Sequence, residues 1–149
     1  MTSGNEPLLF IIGSSHEQAN LEDRETFSLK EDQAEALASD LMQNESIDEC
    51  LILNTCNRLE IYAVSNKVKS IDDLHQFICS HQTLKGTSFP KYNFIKTQTD
   101  AIEHTFKLSS GLASQMIGET EILGQMKQAY TQAKQSKYTK QTLIRLFEK

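Results

Sequence analysis

Residues 51–64, LILNTCNRLEIYAV, place a cysteine and an arginine between two segments that have the composition of β-strands. An apolar run is followed, after a short polar connection, by alternating apolar and polar residues. Because so few residues separate the two segments, we predict an antiparallel hairpin with strands over 49–54 and 59–65. Cys56 and Arg58 then lie at the turn, where a rigid sheet holds the side chains while the turn itself stays open.

Apolar periodicity predicts two more strands and two helices around this hairpin. In chain order these are a strand over Leu8–Ile12, a helix after the capping box Ser28–Glu31, a helix beginning near Ser70, and a strand over Tyr92–Thr97. The resulting order is β-α-β-β-α-β, which places two helices on one face of a four-stranded antiparallel sheet in the ferredoxin-like plan. The order follows from the pattern, whereas the choice of this plan among α+β folds is a hypothesis.

The rest of the chain is predicted to be helical and to add C-terminal helices to this α+β unit. Asp100 can cap a short helix that runs through Leu108, and a long helix follows from about Thr120. The last stretch, 139–149, is rich in apolar residues and has no Gly, Asn or Pro after it. The missing stop signal indicates that this helix continues in a longer protein.

Composition limits the class of protein. The 149 residues are 38% apolar and 23% charged, which suits one folded domain rather than a disordered chain. No apolar run approaches the roughly 18–20 residues that span a bilayer, and the N-terminus lacks a signal-peptide pattern, so we predict a cytoplasmic protein that binds no membrane. The net charge of −5 argues against a domain that grips nucleic acid mainly through phosphates.

Three cysteines, Cys50, Cys56 and Cys79, form an odd and low count, which indicates a reducing compartment and free thiols. These cysteines, with His75 and His81, are the candidate metal ligands, but no two cysteines have the C-x-x-C spacing, so we predict no metal site. Cys50 and Cys79 lie among apolar residues and are interpreted as buried structural thiols. Since Cys50 is about 20 Å from Cys56 along a strand, it is poorly placed to resolve a disulfide, which weakens a thiol-redox interpretation.

The turn itself supports more than one interpretation. A nearby cation lowers the pKa of a thiol from about 8.5, so Arg58 could activate Cys56 as a nucleophile. Arg58 could equally bind a carboxylate through two parallel hydrogen bonds. An ordinary structural cysteine followed by a surface arginine would produce the same pattern.

Other polar residues could converge on this turn. His16 and Arg24 follow the first strand, and His104 lies on the predicted short helix. Residues 109–125, SSGLASQMIGETEILGQ, place glycines beside small and polar residues, which permits close approach of backbone to a ligand. An ordinary helix connection explains this stretch equally well.

Three blocks of the sequence, in order over residues 13–130, resemble the N-terminal catalytic domain of glutamyl-tRNA reductases. The opening loop of that family is similar to GSSHEQANLEDRE. Its block around the nucleophilic cysteine, usually T/S-C-N-R-x-E-x-Y, is similar to NTCNRLEIYAV. Its longest and most specific block is similar to HTFKLSSGLASQMIGETEILGQMKQAY.

The resemblance implies roles for individual residues. Cys56 would be the nucleophile that forms a glutamyl thioester, and His104 would assist near the thiol. Arg58 would bind the side-chain carboxylate of glutamate. The remaining positions that match the substrate site are Thr55, Ser114, Glu119, Gln125, His16 and Arg24.

The resemblance also implies a longer enzyme. Residues 1–138 would be the catalytic, glutamate-recognition domain, and 139–149 would begin a spinal helix that leads to an NADPH-binding domain and a dimerisation domain. The whole enzyme would be a homodimer that acts on glutamyl-tRNA and uses NADPH to make glutamate-1-semialdehyde for tetrapyrrole biosynthesis. A partner enzyme could accept the semialdehyde. This chain holds no cofactor motif and would be limited to thioester formation or esterase activity.

One departure from the family pattern supports an alternative. Ala113 stands where the family usually has Asp. A degenerate domain that holds the aminoacyl end of tRNA without chemistry is therefore the second hypothesis.

Overall fold

The hairpin predicted from residues 51–64 is present in the computed structural model of the chain. The structure describes residues 8–15, 29–55, 58–66, 71–84, 89, 93–110 and 122–148. Its elements are β1 (Leu8–Ser15), α1 (Glu31–Met42), β2 (Ile47–Asn54), β3 (Arg58–Ser65), α2 (Ile71–Ser80), β4 (Phe94–Thr97), α3 (Gln98–Ser109), α4 (Ile122–Gln135) and α5 (Gln141–Phe147).

The four strands form one sheet in the order β2-β3-β1-β4, and every neighbouring pair is antiparallel. The two central strands are therefore β3 and β1, and the two edge strands are β2 and β4. The β-α-β-β-α-β order and the antiparallel pairing confirm the predicted α+β, ferredoxin-like class.

Helices cover both faces of the sheet, each over its own apolar cluster. On one face, α1 and α2 pack Leu37 and Ile78 against Phe10 of β1. On the other face, the C-terminal helices α3, α4 and α5 pack against Ile11 and neighbouring strand residues. Successive side chains of a strand point to opposite faces, so adjacent residues Phe10 and Ile11 contribute to different clusters. The additional C-terminal helices thus form a third layer.

The helix starts differ from the predicted ones by a few residues. In α1 the residue before the helix is Lys30, whose backbone N–H donates to Oε1 of Gln33 at 2.9 Å. The predicted cap, Ser28, lies outside the described residues. In α3 the helix begins at Gln98 rather than Asp100, and Gln98 has a left-handed φ of 48°. The Gln98 side chain accepts a hydrogen bond from the Leu9 N–H at 3.0 Å, a tertiary contact that helps to hold this conformation.

The last helix, α5, is fixed to the edge strand β2 by one carboxylate. Glu49 is buried and accepts hydrogen bonds from the backbone N–H groups of Lys140, Thr142 and Leu143. These are donors at a helix start that have no partner within the helix. Glu49 therefore caps α5, and the apolar side of the helix is buried against the sheet. That residues 139–149 begin a spinal helix stays a prediction.

No helix in the described part of the chain combines the length and apolarity required to cross a bilayer.

Candidate active site

Arg58 is the first residue of β3 and is buried at the closed end of the hairpin. The Thr55 N–H donates to the carbonyl of Arg58 at 2.9 Å, and the Arg58 N–H donates to Oγ1 of Thr55 at 3.1 Å. These bonds leave only residues 56 and 57 to connect the strands, as the hairpin prediction required. Arg58 is only 2% exposed, so the interpretation as an ordinary surface arginine is wrong.

The side chain of Glu60 holds Arg58 and His104 together. Nη1 of Arg58 and Nε2 of His104 lie 2.9 and 2.8 Å from the same carboxylate oxygen, Oε2. The other oxygen, Oε1, accepts a hydrogen bond from the hydroxyl of Tyr62 at 2.7 Å. Glu60 itself is fully buried. A carboxylate is retained in such a place only when charged and polar partners surround it, and here three of them do.

The period of the strand explains why these groups meet. Arg58, Glu60 and Tyr62 alternate along β3 with apolar residues, so all three point to the face that α3 covers. His104 lies on the side of α3 that faces this row of side chains. Its ring is 5.3 Å from the ring of Phe94, on the neighbouring strand β4. The site therefore depends on β3, α3 and β4 together.

Glu60 is an ionised acceptor. Burial raises the pKa of its carboxyl, but the hydrogen bond and charge of His104, the charge of Arg58 and the hydrogen bond from Tyr62 together outweigh burial and leave the pKa below its ordinary value. For Tyr62, burial, the charge of Glu60 and the hydrogen bond to Glu60 raise the pKa well above the usual value. Tyr62 is therefore a neutral donor at any physiological pH.

The contact with Glu60 assigns different tasks to the two nitrogens of His104. Since an ionised carboxylate only accepts hydrogen bonds, Nε2 of His104 carries a hydrogen and donates it to Glu60. Nδ1 is then the nitrogen that can give or take a proton. A histidine whose orientation is fixed by a carboxylate at one nitrogen is suited to act as an acid or base at the other.

A model of the family described as "Glutamyl-tRNAGlu reductase, N-terminal domain" matches residues 12–149. The chain belongs to the glutamyl-tRNA reductase family. Proteins named glutamyl-tRNA reductase from Heliobacterium mobile and Trichormus variabilis are 39% and 37% identical to it, over 82% and 93% of this chain. The alignments cover only 28% and 32% of those proteins, so the chain spans close to a third of the length of the curated relatives it matches.

A solved member of the glutamyl-tRNA reductase family has the same fold. The structure named "Glutamyl-tRNA Reductase from Methanopyrus kandleri" superposes with a TM-score of 0.72 at 29% sequence identity. The match covers 94% of this chain and 31% of that one. The antiparallel sheet and its flanking helices are therefore the N-terminal domain fold of this family.

Of the residues that the family resemblance singled out, the structure brings three together. Thr55 and Arg58 are hydrogen-bonded to each other, and His104 joins Arg58 through Glu60. Gln125 lies on α4, where it lines a cleft beside the outer edge of β2. The proposed nucleophile Cys56, together with Ser114, Glu119, His16 and Arg24, lies outside the described residues, so the roles of all five remain predictions.

The roles of Glu60 and Tyr62 were not predicted from the sequence. Both are part of the family block T/S-C-N-R-x-E-x-Y, and both alternate with apolar residues beside Arg58. That alternation was the available signal, because it places the three side chains on one face of the strand. The alternation does not predict which helix covers this face.

The other two cysteines have structural environments. Cys50 is buried, and burial together with the charge of Glu35 raises its pKa to about 12. Burial also raises the pKa of Cys79, which is half-buried. The interpretation as a buried free thiol is confirmed for Cys50, whereas Cys79 is a free thiol that is only partly buried. Among the described residues, no group of three or more His, Cys, Asp or Glu side chains could hold a metal ion.

Proposed function

We propose that the chain is the catalytic domain of an NADPH-dependent glutamyl-tRNA reductase and that Cys56 forms a glutamyl thioester from glutamyl-tRNA. The thiolate sulfur attacks the carbonyl carbon of the ester, and a C–S bond forms. The C–O bond to the 3′ end of the tRNA then breaks, and the leaving ribose oxygen takes up a proton. A thioester is more electrophilic than an oxygen ester, which makes it a suitable intermediate for reduction.

The observation that carries this proposal is the shared contact of Arg58 and His104 with one oxygen of Glu60, next to Thr55 at the end of the hairpin. Arg58 would bind the side-chain carboxylate of glutamate, because its planar fork matches two carboxylate oxygens. It would also reject glutamine, whose neutral amide gives the guanidinium no charged partner. Nδ1 of His104 would supply the proton to the leaving oxygen.

Reduction belongs to a longer enzyme. NADPH, when bound there, supplies the hydride that converts a thioester to glutamate-1-semialdehyde, the precursor for tetrapyrrole biosynthesis. The sequence contains no G-x-G-x-x-G dinucleotide-binding pattern. We propose that this chain alone stops at the thioester or loses it to water. The dimer contacts and the partner that receives the semialdehyde would likewise belong to the longer enzyme.

The decisive experiment incubates the chain with glutamyl-tRNA and measures both released glutamate and the intact mass of the protein. We expect a glutamyl adduct on Cys56 and slow release of glutamate. Cys56→Ser should abolish both, whereas Cys79→Ser, which removes another thiol, should retain them. Equal release by Cys56→Ser would show that Cys56 is not the nucleophile.

The second candidate is a domain that binds the aminoacyl end of tRNA without chemistry, which the Ala113 departure motivates. It predicts retention of glutamyl-tRNA on the protein with no covalent adduct and with a Cys56 thiol of ordinary reactivity. The mass measurement above separates the two candidates.

A further inference from the structure

A polar cleft of about 270 Å³ lies along the outer edge of β2, between α1 on one face of the sheet and α4 on the other. It is slightly smaller than the roughly 300–1,000 Å³ pockets that take drug-sized ligands. Its walls are joined by two hydrogen bonds, from Gln132 to Glu31 at 3.2 Å and from Tyr138 to Glu35 at 3.1 Å. The size suits a ligand of about one nucleoside.

The cleft leads toward the candidate active site. Its floor follows β2 from Cys50 to Asn54, and Asn54 precedes Thr55 in the chain. The Cys50 N–H donates to the carbonyl of Tyr138 at 2.9 Å, and Tyr138 lies just after the C-terminal end of α4. The C-terminal end of α4 is therefore next to the start of the cleft floor, and the helix runs antiparallel to β2. The N-terminal part of α4, with Gln125, therefore lies toward the hairpin turn.

The outer edge of β2 offers backbone donors and acceptors in the floor of the cleft, and those of Ile52 lie midway along it. The Thr55 N–H donates to the carbonyl of Arg58 on β3, whereas the Cys50 N–H donates away from β3, to the carbonyl of Tyr138. Since hydrogen-bonded and non-hydrogen-bonded pairs alternate, Ile52 also points its N–H and C=O away from β3. Among the described residues, nothing pairs with these two groups of Ile52.

Side-chain amides face the same space. Gln125 and Gln128 line the cleft from α4, and no hydrogen bond ties either amide within the described part of the chain. Each amide carries donors and an acceptor, as the edge of a nucleobase does. Glutamine pairs with adenine through such a donor and acceptor, and single-stranded RNA ends are read through base edges and stacking on aromatic rings. Tyr138 supplies an aromatic ring in the cleft.

We propose that this cleft binds the terminal nucleoside of the tRNA acceptor end, with the base paired to Ile52 and Gln128 and the esterified ribose directed toward the Thr55 end of β2. The inference rests on the proposed function, since it names where the remainder of that substrate lies. Two or three strand residues separate Ile52 from the turn. At about 3.3 Å per residue, the distance between them is close to the length of one nucleoside. No Lys or Arg lines the cleft, so the phosphates lie outside it.

An added peptide strand does not suit this edge. Strand addition needs a run of unpaired backbone groups. Here the Cys50 N–H is taken by Tyr138, and the Asn54 side chain is bonded to both the N–H and the C=O of Leu29. Among the described residues, only Ile52 and Asn54 of this edge keep both backbone groups unpaired, which is a shorter run than an added strand uses.

The test compares two acylating substrates, the 3′-glutamyl ester of adenosine and the ethyl ester of glutamate, and follows the rate at which each adds a glutamyl group to Cys56. We expect the adenosine ester to react faster, and Gln128→Ala to lower the ratio of the two rates about tenfold. Gln135→Ala is the matched control, because Gln135 is exposed on the same helix and does not line the cleft. Its ratio should equal that of the unmodified chain. A ratio that Gln128→Ala leaves unchanged would overturn the proposal.

A second measurement separates failure of this inference from failure of the proposed function. If neither ester acylates the chain, the thioester proposal fails, and binding of adenosine alone then decides about the cleft. In NMR spectra of the ¹⁵N-labelled chain, we expect adenosine to shift the Ile52 backbone amide and the Gln125 and Gln128 side-chain amides saturably. Ribose alone should not do so, and Gln128→Ala should weaken the response. Absence of these shifts would refute the nucleoside site.

Discussion

Gly13 of β1 lies directly opposite Glu60 of β3, and the two are as close as a glycine permits. A Cβ atom placed on Gly13 would lie 2.8 Å from Cγ of Glu60 and 2.9 Å from Cζ of Phe94. Both distances are shorter than real contacts of a Cβ atom. The missing side chain at position 13 is therefore what lets the Glu60 carboxylate lie over the sheet and reach His104.

Gly13→Ala should displace Glu60 and destabilise the chain by about 1–3 kcal/mol, the usual cost of overpacking. Urea unfolding would measure the change. Gly124→Ala is the control, since a Cβ atom placed on Gly124 would meet nothing within 4 Å and Ala is the better helix former by up to about 1 kcal/mol. Equal stability of Gly13→Ala and the unmodified chain would mean that Glu60 has room to move.

Glu60→Gln should lower the free energy of unfolding at pH 7 by about 3 kcal/mol, because it removes the charge that Arg58 and His104 share. The pKa of Glu60 is lowered in the folded chain, so its stabilising contribution is present above the unfolded value of about 4.3 and is lost as the pH falls through the folded pKa. The variant should therefore lose less stability than the unmodified chain on acidification below about pH 4.3.

Urea unfolding at a series of pH values would test this. Glu103→Gln serves as the control because Glu103 is an exposed carboxylate next to His104 in sequence. Parallel pH curves for Glu60→Gln and the unmodified chain would contradict the assignment of an ionised Glu60.

Arg58→Lys should raise KM for glutamyl-tRNA about 10- to 100-fold in the acylation reaction. Lysine keeps the charge but cannot form two parallel hydrogen bonds, and one charge-assisted hydrogen bond contributes about 1.5–3 kcal/mol. Arg145→Lys, at an arginine on α5 far along the chain from the hairpin, should change neither KM nor the rate. If Arg58→Lys leaves KM for glutamyl-tRNA as unchanged as Arg145→Lys does, Arg58 does not bind the glutamate carboxylate.

Alkylation by iodoacetamide should modify Cys56 before the other two thiols. The pKa of Cys50 is about 12 because of burial and the charge of Glu35, so it stays protonated and inaccessible at pH 8. Burial also raises the pKa of Cys79. Peptide mapping across about pH 6–9 should give a Cys56 rate with a midpoint below about 8.5, and Cys56→Ser should remove the fast phase. A fast phase that maps to Cys79 would contradict this expectation.

The sequence pattern predicted the order of helices and strands along the chain, and it predicted the β2–β3 hairpin because both segments carry the composition of strands and lie within one short connection of each other. The order of strands in the sheet followed only from the hypothesis of a ferredoxin-like plan. From the pattern alone, His104 was one of several polar residues that could converge on the turn with Arg58, and the family resemblance singled it out. The two side chains meet at Glu60, and His104 reaches Glu60 only because α3, more than 40 residues along the chain, packs over the neighbouring strands β1 and β4. Such long-range packing leaves no local pattern. The N-terminal boundary of α3 was missed for a similar reason, since Gln98 is held by Leu9 of a distant strand.

The alternation of Arg58, Glu60 and Tyr62 along β3 has a consequence for how this domain can change over evolutionary time. Substitutions between these positions alter only the opposite, apolar face. An insertion or deletion of a single residue, however, would rotate Arg58, Glu60 and Tyr62 to the opposite face of the sheet, where they would enter the apolar cluster beneath α1. The same shift would bring Leu59 and Ile61 under α3. Homologues should therefore vary in identity through this segment but keep its length, and an alignment that places a gap between positions 58 and 62 should be treated as misaligned.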